Sequence, residues 1–285
     1  MIEIVQLDKL IEIALQEDLH DGVDVTSDAI FSGDTSAISD VYLLKAKDSG
    51  VLCGRQVFER VFSKIDPSVN VEFHFNDKDK ISYGDVVATI TGRVCSILKA
   101  ERTALNFLSN LSAISSKTQL FVSTAGDTKI LDTRKTIPGF RALAKYAVLC
   151  GGAVNHRIGL FDMVMIKDNH TDGVGSITKA VGKVRDCWGD KYKIEVETRN
   201  IEEIKEALTL NIDRIMLDNM DNETLKEVVA LIGGKVETEA SGNMSLERIK
   251  EIKDYGIDYI SIGELTHTIK VFDFSLVSQK AYKKI

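Results

Sequence analysis

Cationic side chains follow two apolar runs of the sequence, at the points where each run ends. The first run, 129–131, is followed by Arg134 and Lys135, and the second, 163–166, by Lys167. Guanidinium and ammonium groups donate strong hydrogen bonds to carboxylates and phosphates. If the two runs are strands, these residues therefore form a basic pocket for an anionic ligand.

The connection between the two runs adds further cations. A helical segment with Arg141 and Lys145 begins after a Pro-Gly turn, and His156 and Arg157 follow the Gly-Gly pair that ends it. At this point an alternative stays open, because Arg141 and Lys145 taken singly also fit solvated positions on a helix face.

Composition limits the class of protein. The formal net charge is -7, which disfavours nucleic-acid binding by overall field and makes the cations a local feature. The cysteines lack zinc-ligand spacing and are too few and too dispersed for a disulfide scaffold; they are Cys53, Cys95, Cys150 and Cys187. No apolar stretch is long enough to span a membrane, and no signal-peptide pattern opens the sequence, so we expect a soluble cytoplasmic protein.

The first part of the chain predicts an α+β unit with an antiparallel sheet, because short strands cluster there. A polar turn is expected at 22–27, and strands 41–46 and 51–53 are expected around a turn at 48–50. The other predicted strands are 71–75, 86–90 and 94–97. Helices are predicted at 2–18, 54–65 and 98–125, with Arg102 and Asn106 off the apolar stripe of the last one.

After residue 128 the pattern alternates between strand and helix. The predicted strands are 129–133, 163–167, 193–197, 214–218, 236–241 and 259–263, and the helices between them are 177–188, 201–210, 222–231 and 246–255. Parallel strands joined by helices indicate a doubly wound sheet or a barrel. Because no dinucleotide or P-loop motif is present, a barrel with fewer than the usual eight units is favoured.

Period-two alternation predicts which side chains face the barrel interior. In strand 193–197 the two apolar residues point outward and Glu195 and Glu197 inward, and the same reasoning turns Asp218 and Glu239 inward. Buried carboxylates are costly unless they are paired or bind a metal, so Arg134, Lys135 and Lys167 are the expected partners. An internal salt-bridge network is the alternative.

Two small, amide-rich turns follow or end predicted strands. They are Ser241-Gly242-Asn243 and Ser261-Ile262-Gly263, and exposed amides of this kind can cradle a phosphate. Together with the basic residues they indicate a phosphorylated, multiply anionic substrate. The inward carboxylates indicate Mg²⁺, which prefers carboxylate oxygens and substrate phosphates.

The sequence resembles the quinolinate phosphoribosyltransferase family along nearly its whole length. The resemblance is carried by Glu17-Asp18 and by ERTALN at 101–106, DTRKT-PG at 132–139, KYAV at 145–148, NHR-GL at 155–160, IKDNH at 166–170, EVE at 195–197, LDNM at 217–220, EASGN at 239–243 and LTH at 265–267. Phe140, Ala153 and a longer 17–27 turn depart from the usual pattern, but no charged site residue is lost.

The resemblance implies the type II phosphoribosyltransferase fold. That fold is an N-terminal α/β sandwich (1–110), an incomplete seven-stranded α/β barrel of the TIM type (111–269), and a C-terminal segment (270–285) that returns to the first domain. It also implies a pentosyltransferase that joins quinolinate to phosphoribosyl pyrophosphate (PRPP). The products are nicotinate mononucleotide, pyrophosphate and carbon dioxide, a step of de novo NAD biosynthesis.

The resemblance also implies residue roles. Quinolinate would be held by Arg102, Arg134, His156, Arg157 and Lys167. PRPP would be held by Lys135, Thr136, Glu197, Asp218, Ser241, Gly242, Asn243, Ser261 and Gly263. Lys135, Glu197 and Asp218 would be catalytic, and Glu197 and Asp218 would bind Mg²⁺. The implied assembly is a homodimer in which Arg102 reaches the neighbouring subunit's site, and assembly into a hexamer is left open.

Two other classes of function compete with this reading. A Schiff-base lyase would use Lys135 or Lys167 as a buried amine and would be trapped by borohydride. A non-catalytic binding protein on the same scaffold would tolerate losses at the site, whereas every expected charged position is occupied here.

Overall fold

The computed structural model describes residues 4–282. Its helices are α1 Ile4–Leu19, α2 Val25–Ile30, α3 Arg55–Ile65, α4 Val94–Ala125, α5 Arg141–Cys150, α6 Asp168–Val174, α7 Ile177–Trp188, α8 Ile201–Ala207, α9 Asn222–Ile232, α10 Leu246–Ile252, α11 Glu264–His267 and α12 Gln279–Tyr282. Its strands are β1 Ser39–Ala46, β2 Gly50–Val51, β3 Asn70–Phe73, β4 Lys80–Ile81, β5 Val86–Arg93, β6 Lys129–Leu131, β7 Val164–Ile166, β8 Ile194–Thr198, β9 Arg214–Asp218, β10 Glu237–Ser241, β11 Tyr259–Ser261 and β12 Phe274–Ser278.

The chain divides into two compact units. The first contains the chain up to Gln119, together with Pro138–Gly152 and the chain from Thr268. The second contains Leu120–Ile137 and Ala153–His267. Among the described residues, no helix combines the length and the apolar character that crossing a membrane requires.

The first unit has a four-stranded antiparallel sheet in the order β12-β1-β5-β3. The last strand of the chain therefore pairs with the first, with Leu44 opposite Leu276. Phe58 and Phe62 of α3 are fully buried, as is Ile90 of β5, so the helix packs its apolar face in the core of this unit.

Two local predictions for this unit are wrong. Residues 94–97 form the first turn of α4 rather than a strand: Ile97 is fully buried and Ser96 donates to Asp66 at 2.7 Å, so tertiary packing outweighs β propensity. The expected turn at 22–27 contains the start of α2, because the Asp24 carboxylate caps the amides of the first helical turn. The strands expected on either side of the 48–50 turn are present as β1 and a shorter β2, and β2 pairs with β4.

The second unit has one parallel sheet of six strands in the order β6-β11-β10-β9-β8-β7. Val154 adds a single parallel bridge to Leu131 beside β6, at the place of a seventh strand. Every residue of β8 is buried, as expected for a parallel strand covered on both faces. The alternating strands and helices predicted for this part are confirmed, and they form the incomplete α/β barrel.

Parallel pairing brings the carboxyl ends of the six strands to one edge of this sheet. The predicted site residues Arg134, Lys167, Asp218 and Gly242 all follow or end these strands. The fold of the second unit therefore places the predicted basic, acidic and glycine-rich segments at the same edge.

Candidate active site

Two arginines of the second unit form the positive part of the site. Burial and the neighbouring Arg134 lower the pKa of Arg157, so the two guanidinium groups are close enough to repel each other. The Nε atoms of both are buried without a hydrogen-bond acceptor among the residues that the structure describes. Arg157 is partly anchored, because one terminal nitrogen donates to the Met163 carbonyl at 3.0 Å. Like charges with unused donors fit the binding of an anion between them.

Lys135 and Thr136 follow Arg134 in a tight turn. Lys135 is exposed, and its amide donates to Thr133 Oγ1 at 3.0 Å. Its carbonyl accepts a hydrogen bond of 2.7 Å from Thr266, in the segment after β11. The Lys135 side chain also lies against Gly263. A Cβ atom built on Gly263 would be 3.2 Å from Lys135 Cδ. Two residues that were predicted to bind PRPP, Lys135 and Gly263, are therefore in contact.

His156 is buried at the centre of an ionic cluster. Its Nε2 lies 3.1 Å from Glu195 Oε2 and 3.3 Å from Glu239 Oε2, and both carboxylates are fully buried. The Arg157 amide donates to its Nδ1 at 2.6 Å, and its own amide donates to Asp132 at 2.8 Å. Both ring nitrogens are thus engaged within the second unit.

The cluster retains a proton at neutral pH. Burial lowers the pKa of His156, but hydrogen bonds to Glu195 and Glu239 outweigh it and raise that pKa to about 9. Burial and the neighbouring Glu239 raise the pKa of Glu195 to about 7. Because the Arg157 amide donates to Nδ1, Nε2 is the ring nitrogen that presents a proton to the two carboxylates.

Lys167 and Glu197 form an ion pair at the ends of two neighbouring strands. Lys167 Nζ lies 2.6 Å from Glu197 Oε2, and the lysine is about half exposed whereas the glutamate is buried. Neither Lys167 nor the exposed Lys135 has the buried, apolar surroundings that lower the pKa of a Schiff-base lysine, so this geometry gives no support to the lyase.

Asp218 ends β9, the strand next to β8. Its Oδ2 accepts a hydrogen bond of 2.7 Å from the Asn219 side-chain amide. The loops after β9 and β10 then approach closely. Gly242 has φ +95°, and a Cβ at this position would lie 2.1 Å from Asn219 Oδ1 and 3.1 Å from Asn219 Cα. Asn219 and Asn243 also have left-handed backbone conformations, which are uncommon for residues other than glycine and often mark functional sites.

The other predicted PRPP residues differ in exposure. Ser241 is half-buried at the end of β10, whereas Ser261 is buried and its hydroxyl donates to Glu239. The structure therefore places the Ser261 side chain with the acidic residues of the ionic cluster.

Arg102 belongs to the first unit. It is exposed on α4, beside the buried Thr103 and Ala104 and one turn from the exposed Asn106. This placement confirms that Arg102 and Asn106 lie off the apolar stripe of the helix.

The sequence reasoning missed the partners of the buried carboxylates. Arg214 Nη1 lies 3.1 Å from Glu239 and 3.8 Å from Glu195, where Arg134, Lys135 and Lys167 had been expected. Arg214 has the same strand parity as Asp218, so the alternation rule would have turned it inward as well. The expected pairing holds for Glu197 and Lys167, whereas Glu195 and Glu239 form the internal ionic network that had been the alternative.

Comparisons with known proteins agree with this architecture. Residues 24–112 match the family model for the N-terminal domain of quinolinate phosphoribosyl transferase, and residues 114–277 match that for its C-terminal domain. A quinolinate phosphoribosyltransferase [decarboxylating] of Nicotiana tabacum is 43% identical over 289 residues, which cover 95% of this chain and 81% of the relative. A probable nicotinate-nucleotide pyrophosphorylase [carboxylating] of Bacillus subtilis is 40% identical over 273 residues, covering 95% of this chain and 93% of that one.

Solved structures give the same result. NadC from Streptococcus pyogenes superposes with a TM-score of 0.92 at 40% identity, covering 98% of this chain and 99% of the other. The nicotinate-nucleotide pyrophosphorylase from Francisella tularensis superposes with a TM-score of 0.93 at 36% identity, covering 98% of both. The fold and the site thus define a phosphoribosyltransferase of the α/β-barrel class. Within that class, the chain belongs to the quinolinate phosphoribosyltransferase family.

Proposed function

We infer that this chain catalyses the decarboxylating transfer of a phosphoribosyl group from PRPP to quinolinate, giving nicotinate mononucleotide, pyrophosphate and carbon dioxide. The observation that carries this function is the pair Arg134 and Arg157, whose guanidinium groups repel each other and retain buried, unsatisfied Nε donors. Quinolinate carries two adjacent carboxylates, and planar guanidinium groups match carboxylates better than ammonium groups do. Lys167 adds a third cation at the end of the next strand.

The first chemical step is a displacement at the anomeric carbon of PRPP. The pyridine nitrogen forms the new bond to the anomeric carbon. At the same time the bond between that carbon and the pyrophosphate oxygen breaks, and the oxygen keeps the electron pair. Positive charge develops on the ribose, and the carboxylates of Glu197 and Asp218 would stabilise it. Lys135, which contacts Gly263, would lie between the two substrates and offset the charge of the phosphates.

The second step is the loss of carbon dioxide. The bond between the ring and the carboxylate next to the nitrogen breaks, and its electron pair stays on the ring carbon. The ribosylated nitrogen is cationic and stabilises that carbanion, which then takes a proton from solvent. No covalent nucleophile is needed.

The donors at the strand ends fit Mg²⁺. Glu197 and Asp218 offer carboxylate oxygens from neighbouring strands, a donor set that suits a hard cation which also binds substrate phosphates. When bound, Mg²⁺ would neutralise the pyrophosphate as it leaves. The Lys167 ammonium balances the negative charge of Glu197 in the ion pair. As substrates bind, Lys167 can exchange Glu197 for a quinolinate carboxylate, and Glu197 can exchange Lys167 for the ribose or Mg²⁺.

The turn after β10 would hold the 5-phosphate of PRPP. Gly242 and Asn243 have left-handed backbones, turns of exposed amides can bind an anion, and Ser241 adds a hydroxyl. Thr136 and Gly263 would complete this part of the site, whereas the Ser261 hydroxyl donates to Glu239 and belongs to the ionic cluster.

We further propose a homodimer in which Arg102 contributes to the partner's site. The exposure of Arg102 on α4 supports this proposal, because an exposed guanidinium group is accessible to a second subunit. We place the protein in the cytoplasm, since the four cysteines are free thiols, as is usual in a reducing compartment. Cell fractionation with antibody detection tests that placement.

The decisive experiment mixes the protein with PRPP, Mg²⁺ and either quinolinate or nicotinate, and detects the mononucleotide by ultraviolet absorbance. We expect product from quinolinate only, greatly reduced by Arg134→Ala. Arg185→Ala is the matched control, because Arg185 contacts the carbonyls of Gly189 and Asn211, away from the strand ends. Product from nicotinate instead would assign a non-decarboxylating transferase, and no product in either tube would support a binding protein.

A further inference from the structure

The ionic cluster around His156 contains three residues that no substrate role accounts for: Glu195, Glu239 and Arg214. They lie on the neighbouring strands β8, β10 and β9. Glu195 and Arg214 are direct partners in the strand register, and Glu239 is paired with Met216. Adjacent strands thus bring all three side chains to the same region of the barrel interior.

The charges of this cluster balance internally. Arg214 Nη1 lies 3.1 Å from Glu239 Oε2 and 3.8 Å from Glu195 Oε2, and His156 Nε2 lies within 3.3 Å of both carboxylates. Burying two carboxylates is expensive, and apolar residues of similar size are often at least as stable. The presence of the network therefore suggests a use beyond stability.

A bound metal is one possible use, because the ligand atoms of His156, Glu195 and Glu239 lie within 4.8 Å of one another. However, Arg214 already supplies a positive charge to both carboxylates, and its ring-stacking on Tyr259, 3.9 Å from the ring centroid, holds it in place. A divalent cation would have to approach a guanidinium group in a buried site. The geometry therefore favours an internal ionic network over a metal site.

The network ends at the backbone of the substrate site. His156 Nε2 lies between the two carboxylates, 3.1 and 3.3 Å from their nearest oxygens, and its Nδ1 accepts from the amide of Arg157 at 2.6 Å. The orientation of the ring thus fixes the position of that amide. Arg157 is the residue whose guanidinium faces Arg134 in the proposed quinolinate site.

We propose that Glu195, Glu239 and Arg214 are positioning residues that hold the His156 ring and, through its contact with the Arg157 amide, set the Arg157 side chain for quinolinate. This inference rests on the proposed function and assigns the network to the quinolinate half of the site. None of the three residues is assigned a contact with substrate. PRPP binding, which is assigned to other residues, is expected to be independent of the network.

The test compares Glu239→Gln with Glu237→Gln. Glutamine keeps the volume of the side chain and an acceptor for His156 but removes the charge. Glu237 is the matched control, because it lies on the same strand and contacts Arg214 at 3.3 Å and Tyr259 at 3.1 Å. We expect Glu239→Gln to raise the KM for quinolinate about tenfold, as losses of orienting partners typically do, with the KM for PRPP within about twofold. Glu237→Gln should leave both constants unchanged.

The outcomes separate this inference from the proposed function. If the wild-type protein forms no nicotinate mononucleotide, the proposed function fails. If it does form product and Glu239→Gln changes both KM values equally, or neither, the positioning role is wrong. Glu239→Asp, which restores the charge, should recover part of the quinolinate KM, and lack of any rescue also counts against the role.

A measurement on the wild-type chain covers the case in which the variants do not fold. Nuclear magnetic resonance of the histidine side chains should show one Nε2 proton that exchanges slowly, assigned to His156 among the 5 histidines by its loss in His156→Asn. If the His156 Nε2 proton exchanges as fast as that of the exposed His74, the ring is not held and the proposal is overturned.

Discussion

Lys167 Nζ lies 2.6 Å from Glu197 Oε2, which joins a residue of the proposed quinolinate site to a residue of the proposed PRPP site. The lysine side chain is 45% exposed and the glutamate 8%, so the lysine end of the pair is the more accessible to ligands. A carboxylate bound to Lys167 and a ribose or cation bound to Glu197 each compete with this ion pair. Each substrate therefore releases a group that the other one uses.

Lys167→Met keeps the length of the side chain and removes its charge. We expect the KM for quinolinate to rise and kcat/KM to fall by about 10²-fold, because a charged donor to the substrate is lost. Glu197→Gln should instead raise the KM for PRPP. Steady-state kinetics with each substrate varied in turn measure both effects. Lys193→Met is the control, since Lys193 is exposed and precedes β8. An unchanged quinolinate KM in Lys167→Met would contradict the assignment.

Gly242→Ala tests the phosphate turn. The new methyl group would lie 2.1 Å from Asn219 Oδ1 and would occupy a left-handed conformation at φ +95°. We expect a loss of about 1–3 kcal/mol in stability and a raised KM for PRPP, with the KM for quinolinate little changed.

The matched control is Gly234→Ala. Gly234 has φ +72° with nothing within 4 Å of the added Cβ, so it carries the backbone strain without the steric clash. If both variants lose PRPP affinity equally, the close contact between the loops after β9 and β10 is not what shapes the turn. Thermal unfolding and steady-state kinetics on both variants give the comparison.

A mixing experiment tests whether Arg102 acts on the partner's site. Arg102→Ala and Arg134→Ala are each expected to be nearly inactive alone. If Arg102 acts across the dimer, a heterodimer of the two variants regains one intact site. Random re-association of equal amounts then restores about a quarter of the wild-type activity.

The same mixture stays inactive if Arg102 acts within its own chain, because every site then has one defect. Two control mixtures are used. One combines Arg102→Ala with Lys135→Ala, and the other combines two samples of Arg102→Ala. Recovery with Lys135→Ala, and none with itself, is the pattern expected of a shared site.

The pH dependence of stability tests the His156 cluster. The pKa of His156 is about 9 in the folded protein and 6.5 without its surroundings, so the folded state binds more protons between these values. The contribution of His156 to stability should therefore be fully present below pH 6.5 and should be lost as the pH rises through 9, by on the order of 3 kcal/mol. The raised pKa of Glu195, about 7, acts in the same direction at lower pH.

Urea unfolding followed by the fluorescence of Trp188 measures this trend, since the single tryptophan belongs to the second unit. Glu239→Gln should flatten the slope between pH 6.5 and 9, because one of the carboxylates that raise the His156 pKa is lost. His74→Asn should leave the slope unchanged. His74 directly follows β3, its side chain is exposed, and the described contacts show a side-chain hydrogen bond only to Thr89. A flat wild-type profile would show that the cluster takes up no proton on folding.

The barrel was largely predictable from the sequence. Its strands are short apolar runs that end in charge and alternate with helices, and burial on both faces selects for such runs. Errors fell in the first unit, where the decisive contacts are distant in sequence. Nothing local marks Ser96 as a hydrogen-bond donor to Asp66, so Val94–Ile97 has the local pattern of a strand although it forms the start of α4.

The candidate site was predictable in composition but not in its pairings. Alternation turned Glu195 and Glu239 inward, yet which cation faces them depends on strand order and register. The sheet places β9 between β8 and β10, and this order makes Arg214 the partner of both glutamates. The proximity of Arg134 and Arg157 likewise depends on how the chain returns after α5, which the sequence pattern does not specify.

The pairing of β12 with β1 has a consequence for biosynthesis. The contact between Ser278 and Asp40 spans 238 residues, and β1 needs β12 along one whole edge. On the ribosome, β1 emerges early and keeps that edge unpaired until β12 has been translated, an exposure that favours association with other chains. The second unit, by contrast, has its whole sequence available once His267 is made. The part of the protein that is synthesised first is therefore the part that finishes folding last.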